Sequence, residues 1–315
     1  MQKPYTQLTT RNGQSTSRLT FGTMQFGGNA DASESYAMYE AVRHAGITHF
    51  DTAMGYTDGR SEKLIGEFIK HERDNIFLAT KVGYVGGASR KNIITQFEIC
   101  KRQLQEDAVD LLYMHRFDED VALEETFETL TELQSSGAIR YIGVSNYAAW
   151  QVMKAQGVAK SLGTKIDVIQ PMYSLVKRQA EVEIIPMAQD QDIRLIPYSP
   201  LGAGLLTGKY SKSSGIGRLS EDARYKARYD QPWMHKTAND LAEIAADMGI
   251  ASATLAVAWA AAHPAQPSPI ISARSALQLK PSLAAVDFEM TQELYEQITA
   301  LSKSPAPATD RLEEG

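Results

Sequence analysis

The chain of 315 residues holds one cysteine, Cys100, so no internal disulfide can form and secretion is not implied. No stretch approaches the roughly 18 consecutive apolar residues that a membrane helix needs. The N-terminus, Met1-Gln2-Lys3-Pro4-Tyr5, lacks the apolar core of a signal peptide. There is no excess of positive charge. The net charge of −6 and a pI near 5.6 argue against a general nucleic-acid binder. These absences make a cytoplasmic protein with neither membrane nor nucleic acid as partner the expectation. A Gly-x-Gly-x-x-Gly loop is also missing, since Gly22…Gly27-Gly28 has the wrong spacing. Ala203-Gly204-Leu205-Leu206-Thr207-Gly208-Lys209-Tyr210 falls short of a triphosphate-binding loop: it begins with Ala and ends with Tyr where magnesium needs a hydroxyl from Ser or Thr. The six histidines show no metal-ligand spacing, and no metal is expected. Cys100 shares an apolar helical face with Phe97 and Leu104, which packing explains better than redox chemistry.

What is present is a globular composition, 43% hydrophobic, in a chain long enough for two ordinary domains or one barrel. Strand-like runs recur at Ile76–Thr80, Val109–Met114, Tyr141–Ser145, Val168–Pro171 and Arg194–Tyr198, their starts 26 to 33 residues apart. That is about one strand–helix unit of an eight-stranded barrel. Thr20–Thr23 and His49–Asp51 supply two earlier strands, and Pro269–Ile271 a short eighth. Between them, Ile93, Phe97, Cys100 and Leu104, and again Leu241, Ile244, Ala245 and Met248, fall at helical spacing. Stretches 123–135, 149–161 and 180–189 are helical by composition. The fold class expected is α/β, a (β/α)8 TIM barrel forming a single domain over 1–315. Tyr5–Leu8 and Ser17–Leu19 around Asn12-Gly13 suggest an N-terminal hairpin that closes the barrel floor. Residues 208–235, polar and rich in Ser, Gly and Arg, suggest a long mobile loop over the site, with the mixed charges of 218–228 on a solvated surface. Residues 291–302 suggest an extra C-terminal helix, and 304–315 a loose tail.

Four groups that can hold or move protons stand at successive strand ends: Asp51 and Tyr56 after the second strand, Lys81 after the third and His115 after the fourth. If the strands are parallel neighbours, all four converge on one rim. There the carboxylate holds the ammonium, the ammonium lowers the phenol pKa, and the phenol donates to a developing oxyanion. Taken singly, each has an ordinary structural explanation; as a set at one barrel rim they point to catalysis.

Asp51-Thr52-Ala53…Tyr56…Gly59…Ser61-Glu62…Gly66 resembles the first signature of the aldo-keto reductases. Lys81-Val82, Asp110 to Asp118 through His115-Arg116, Gly143-Val144-Ser145-Asn146, Gln170, the run Tyr198 to Tyr210 and the stretch Ala273–Leu283 are similar to later ones, in order and at family spacing from about Leu19 to Ala285. The resemblance implies a barrel that binds a nicotinamide cofactor without a Rossmann fold. It implies Tyr56 as general acid, its pKa depressed by Lys81 paired with Asp51, and His115 orienting the substrate carbonyl. Gly22, Thr23 and Met24 would line the cofactor. Ser145, Asn146 and Gln170 would hold the carboxamide. Tyr198 would stack on the nicotinamide, with Ser199, Pro200, Leu201 and Gly202 following. Ala273, Arg274, Ser275 and Gln278 would meet the adenosine end. The chain departs from the pattern at Ser272 (often Gly), Ser282 (often Asn) and Met54 (often polar).

The implied activity is reduction of an aldehyde or ketone by NADPH, with NADH less favoured: Arg274 is placed for a 2′-phosphate, and no acidic residue lies between Ile271 and Ala285 to hold a free ribose diol. Candidate pocket walls are Met24, Phe26, Met54, Tyr84, Phe117 and Trp233. Two further readings stand beside this one: the same chemistry run oxidatively on a sugar or polyol, and a cofactor-binding, redox-sensing subunit of a partner complex.

Overall fold

The computed structural model describes residues 7–210, 218–311 and 313. Eight parallel strands alternate with helices along the chain. In order they are β1 (Thr20–Gly22), α1 (Ala32–His44), β2 (His49–Asp51), α2 (Arg60–Ile69), β3 (Phe77–Val82), α3 (Arg90–Leu104), β4 (Val109–Met114), α4 (Leu123–Ser135), β5 (Ile139–Ser145), α5 (Ala149–Ser161), β6 (Val168–Gln170), α6 (Ile184–Asp190) and β7 (Arg194–Leu195). There follow α7 (Arg218–Glu221), α8 (Ala223–Tyr229), α9 (Pro232–Asp247), α10 (Ser252–Ala262), β8 (Ile270–Ile271), α11 (Ala276–Leu283) and α12 (Gln292–Ala300). Strands β1 to β7 pair in sequence order, and β8 pairs with β1. The ring closes on the other side of β8. Ser268 N–H donates to Leu195 O and Ile270 N–H to Pro197 O, each at 2.8 Å. The result is the expected (β/α)8 barrel, followed by one extra helix, α12.

The strands are buried on both faces, which is why they read as continuous apolar runs rather than as alternation. In β3, Phe77 and Ala79 belong to the inner core with Leu111 and Tyr113 of β4, Val168, Ile196 and Ile270. Leu78 and Val82 point outward into the helix layer with Leu112 and Met114. A side-chain period of two therefore places Lys81 at the top of the inward row, above Ala79. The register Gly22↔Asp51↔Ala79 and Lys81↔Tyr113↔Gly143 sets these positions side by side across five strands.

The floor is closed by a hairpin smaller than the sequence suggested. Its ladder joins Leu8–Thr10 to Gln14–Thr16, with Thr9 facing Ser15, and Leu8 plugs the inner core. Tyr5 lies outside the described residues, and Leu19 is already part of the barrel wall. Asp110 serves the same floor. Its carboxylate receives Arg73 at 2.8 Å, Arg140 at 2.7 Å and the Leu78 N–H at 2.9 Å. Three donors satisfy the buried charge, so its role is structural. The stretch 208–235 is not an open loop throughout: α7, α8 and the start of α9 occupy it from Arg218 onward. The expected helix over 180–189 is a short 3-10 turn, Gln179–Glu181, followed by α6. Among the described residues no single helix is long and apolar enough to cross a membrane.

Candidate active site

The strand ends bring the four groups together. Lys81 Nζ donates to Asp51 Oδ1 and to the Thr52 carbonyl, the latter at 2.7 Å. It also lies 5.1 Å from the centre of the Tyr56 ring. Tyr56 opens the 3-10 turn after β2, and its ring meets that of His115 edge-on at 6.0 Å. His115 follows β4 directly, anchored by its own N–H to Val82 O at 2.8 Å.

Two neighbours stood outside the sequence reading of this cluster. Gln170 Nε2 donates to Asp51 Oδ2 at 2.9 Å, so both carboxylate oxygens are engaged. The ring of Tyr113 lies 5.6 Å from Lys81 Nζ. The inward register shared with Lys81 was the signal for Tyr113. Gly143 makes room for it, because a Cβ there would come within 2.5 Å of the ring.

Burial and charge act against each other in this cluster. Burial pushes the Asp51 carboxyl up and pulls the Lys81 ammonium down; at Lys81 the charges of Asp51 and Tyr56 outweigh burial, and its pKa is raised. At Tyr56 burial dominates and raises the phenol pKa, while Lys81 works in the opposite direction. Lys81 thus lowers the phenol pKa in the expected direction, against the larger rise that burial imposes. His115 is lowered to about 3, first by burial and then by the Lys81 and Arg116 charges, so its imidazole is neutral at ordinary pH.

The expected carboxamide and ring-stacking residues form one chain of hydrogen bonds. Tyr198 OH donates to Asn146 Oδ1 at 2.7 Å, and Asn146 Nδ2 donates to His115 O at 3.0 Å and Ser145 Oγ at 3.1 Å. Ser145 Oγ donates to Gln170 O at 3.2 Å. Asn146 and Ser199 both take the left-handed conformation, which turns the backbone sharply at the ends of β5 and β7. Gly22 sits where a Cβ would come within 2.7 Å of Ile270. Thr23 is fully buried with its hydroxyl bound to Ser61 Oγ at 2.7 Å, so its side chain faces α2 and not the rim. Met24 is half-buried beside it.

At the other end of the rim, Ser275 caps α11, accepting from Gln278 N–H at 3.1 Å, and Gln278 Oε1 accepts from Arg274 N–H at 2.8 Å. The stretch Ile271–Ala285 has no acidic residue of its own, but two carboxylates reach it from elsewhere. Glu221 of α7 meets Arg274 Nη2 at 3.4 Å, and Glu34 of α1 accepts from the Ala276 N–H at 2.6 Å. Both come from elements far away in sequence. Among the expected pocket walls, Phe26 is fully buried against Phe21 and Phe68 and belongs to the core. Trp233 packs beside Lys303, 6.0 Å from its ring centre. Phe117 packs edge-on against Tyr147 and Trp150. Tyr84 does stand at the site, its ring 4.9 Å from that of His115.

The profile of the aldo/keto reductase family matches residues 18–303, the whole barrel from β1 to the end of α12. The chain belongs to the aldo/keto reductase family. A probable voltage-gated potassium channel subunit beta from Oryza sativa subsp. japonica is 31% identical to it, the match covering 95% of this chain and 97% of the rice protein. An uncharacterised oxidoreductase of Bacillus subtilis is 31% identical over 95% of this chain and 96% of its own length. Aflatoxin B1 aldehyde reductase member 2 from Rattus norvegicus is 34% identical over a shorter stretch, 64% of this chain and 56% of the rat protein. Aldo/keto reductases are oxidoreductases that act on small-molecule carbonyls with nicotinamide cofactors, and this protein is one by membership.

Proposed function

We propose that this aldo/keto reductase reduces aldehydes or ketones to alcohols with NADPH, Tyr56 serving as the general acid. The observation that carries the reading is the position of Lys81, whose ammonium bonds Asp51 and lies 5.1 Å from the centre of the Tyr56 ring, which the neutral His115 meets edge-on at 6.0 Å. A carbonyl oxygen lodged between Tyr56 and His115 would meet two uncharged donors, and only the phenol has a cation behind it to stabilise the phenolate left after proton transfer. His115 then orients the oxygen by a hydrogen bond without competing as an acid.

The residues at the rim suit a nicotinamide dinucleotide. Tyr198 offers a half-buried ring, Ser145, Asn146 and Gln170 offer amide and hydroxyl partners, and the Ser272 hydroxyl is buried without a partner at the end of β8. Arg274 offers a cation for a 2′-phosphate. When bound, the nicotinamide supplies the hydride. Tyr56→Phe tests the assignment: carbonyl reduction should fall by about 10²–10⁴-fold with cofactor affinity nearly unchanged. A near-wild-type kcat in a clean preparation would overturn it. A second reading, a cofactor-binding subunit of a larger assembly, is favoured by the name of the rice relative. Turnover of a simple aldehyde separates the two.

A further inference from the structure

Beyond His115 the mouth of the site becomes aromatic and cationic. Tyr84, on the turn after β3, is 54% exposed with its ring against His115, and the guanidinium of Arg116 lies 5.3 Å from the centre of the same ring. On α8, Arg228 lies 5.9 Å from the ring centre of Tyr225. Arg228 also acts on Tyr198 at the rim: burial raises the Tyr198 pKa, and the Arg228 charge opposes that rise.

Neither guanidinium has a carboxylate partner among the described residues, although carboxylates are close by. Those of the 218–235 stretch are taken: Glu221 by Arg274, Asp222 by Arg224, and Asp230 by His235 and Lys226. Asp118, two residues beyond Arg116, accepts from the N–H groups of Ala88 and Asp120. Glu119 and Asp120 are exposed. In a chain of net charge −6, two arginines that each sit beside a tyrosine ring, with no carboxylate partner among the described residues, are available to an anion.

We infer that the substrate of this site carries an anionic group, a carboxylate or a phosphate monoester, on the side away from its carbonyl, and that Arg116 and Arg228 receive it. The inference rests on the carbonyl-reductase reading above and narrows its substrate class. A guanidinium one aromatic ring beyond His115 suits a carbonyl whose charged end is separated from it by a spacer of about that length.

The test is steady-state kinetics on two matched pairs of aldehydes with NADPH and with NADH. One pair is 4-carboxybenzaldehyde and its methyl ester. The other is 4-formylphenyl phosphate and 4-methoxybenzaldehyde. The anionic member of at least one pair should show a kcat/KM about tenfold higher, chiefly through KM. Which pair responds identifies the anion. That ratio should fall toward one in Arg116→Gln and in Arg228→Gln, and as salt is raised. If the neutral aldehydes are reduced as well as or better than both anions, or if the ratio survives in both variants, the inference is overturned and the carbonyl reading stands. If none of the four is reduced with either cofactor, the carbonyl reading fails, and this inference with it.

Discussion

As the proposed general acid, Tyr56 rests on a balance that one residue can tip. Burial raises its pKa and the Lys81 ammonium restrains the rise. Removing that cation leaves burial unopposed, and the phenolate formed on proton donation loses its nearest stabilising charge. Lys81→Met should therefore cost about 10²-fold or more in kcat. Asp51→Asn should cost less, because an amide oxygen still accepts from Lys81 while Thr52 O keeps its own bond to the ammonium. A pH–rate profile checks both; an unchanged rate and profile in Lys81→Met would make the lysine structural. The buried imidazoles give a prediction of a different kind. His49 and His115 are each lowered to about 3, mainly by burial. Below an unfolded-state pKa near 6.5 the unfolded chain takes up protons that the native state refuses. Each histidine thus removes stability as pH falls from about 6.5 toward 3, by about 1.4 kcal/mol per pH unit. His49 is fully buried beneath the catalytic layer, with Thr20 as partner for only one ring nitrogen. His49→Gln should lose less stability than wild type over that interval, read as denaturation midpoints at pH 7 and pH 5. Parallel losses would mean that His49 is already neutral, or equally protonated, in both states.

At the scale of elements, what the sequence made legible follows from how each element is stabilised. Helices α4 and α5 have the expected ends, 123–135 and 149–161, because each presents an apolar stripe to the barrel. Helix α8 was hidden because five of its seven residues are Arg, Lys or exposed Ala. Its start is fixed instead by Asp222, whose carboxylate accepts from Arg224 N–H at 2.9 Å. The residues 180–189 gave too much helix because a 3-10 turn and a two-residue turn at Val182-Glu183 occupy the stretch ahead of α6. Tertiary approach was invisible too. Gly66 of α2 belongs to the first signature, yet only the structure gives its reason: a Cβ there would drive into the backbone carbonyl of Leu104 at the end of α3. Backbone cannot yield as a side-chain tip can. Gly66→Ala should destabilise the protein by about 1–3 kcal/mol, with kcat at low temperature little changed, measured by chemical denaturation alongside activity. An unaltered midpoint would show that α2 and α3 can separate at no cost.

The barrel as a whole decides what no segment could. The four catalytic candidates were readable because they stand at the ends of three successive strands and a closed parallel barrel sends all such ends to one rim. The proposed adenosine end was only half readable, since the residues that meet there come from α1, α7 and α11, with Glu34 and Ala276 separated by 242 positions. Arg274, read alone, was a free cation for a 2′-phosphate. In the folded chain it leans on Glu221, and Glu34 holds the first N–H of α11. A 2′-phosphate at this place must displace Glu221 from Arg274 and lie near both carboxylates, so the preference for NADPH should be moderate and adjustable in both directions. Arg274→Ala should raise KM for NADPH by about tenfold, at least about 1.4 kcal/mol, and leave that for NADH nearly unchanged. Glu221→Gln frees the guanidinium and removes a repelling charge, and should tighten NADPH binding relative to NADH. Cofactor dissociation constants from protein fluorescence, measured without substrate, check both without relying on turnover. If Arg274→Ala weakens the two cofactors equally, the arginine does not read the phosphate. If Glu221→Gln weakens NADPH, its carboxylate positions Arg274 for the cofactor instead of competing with it.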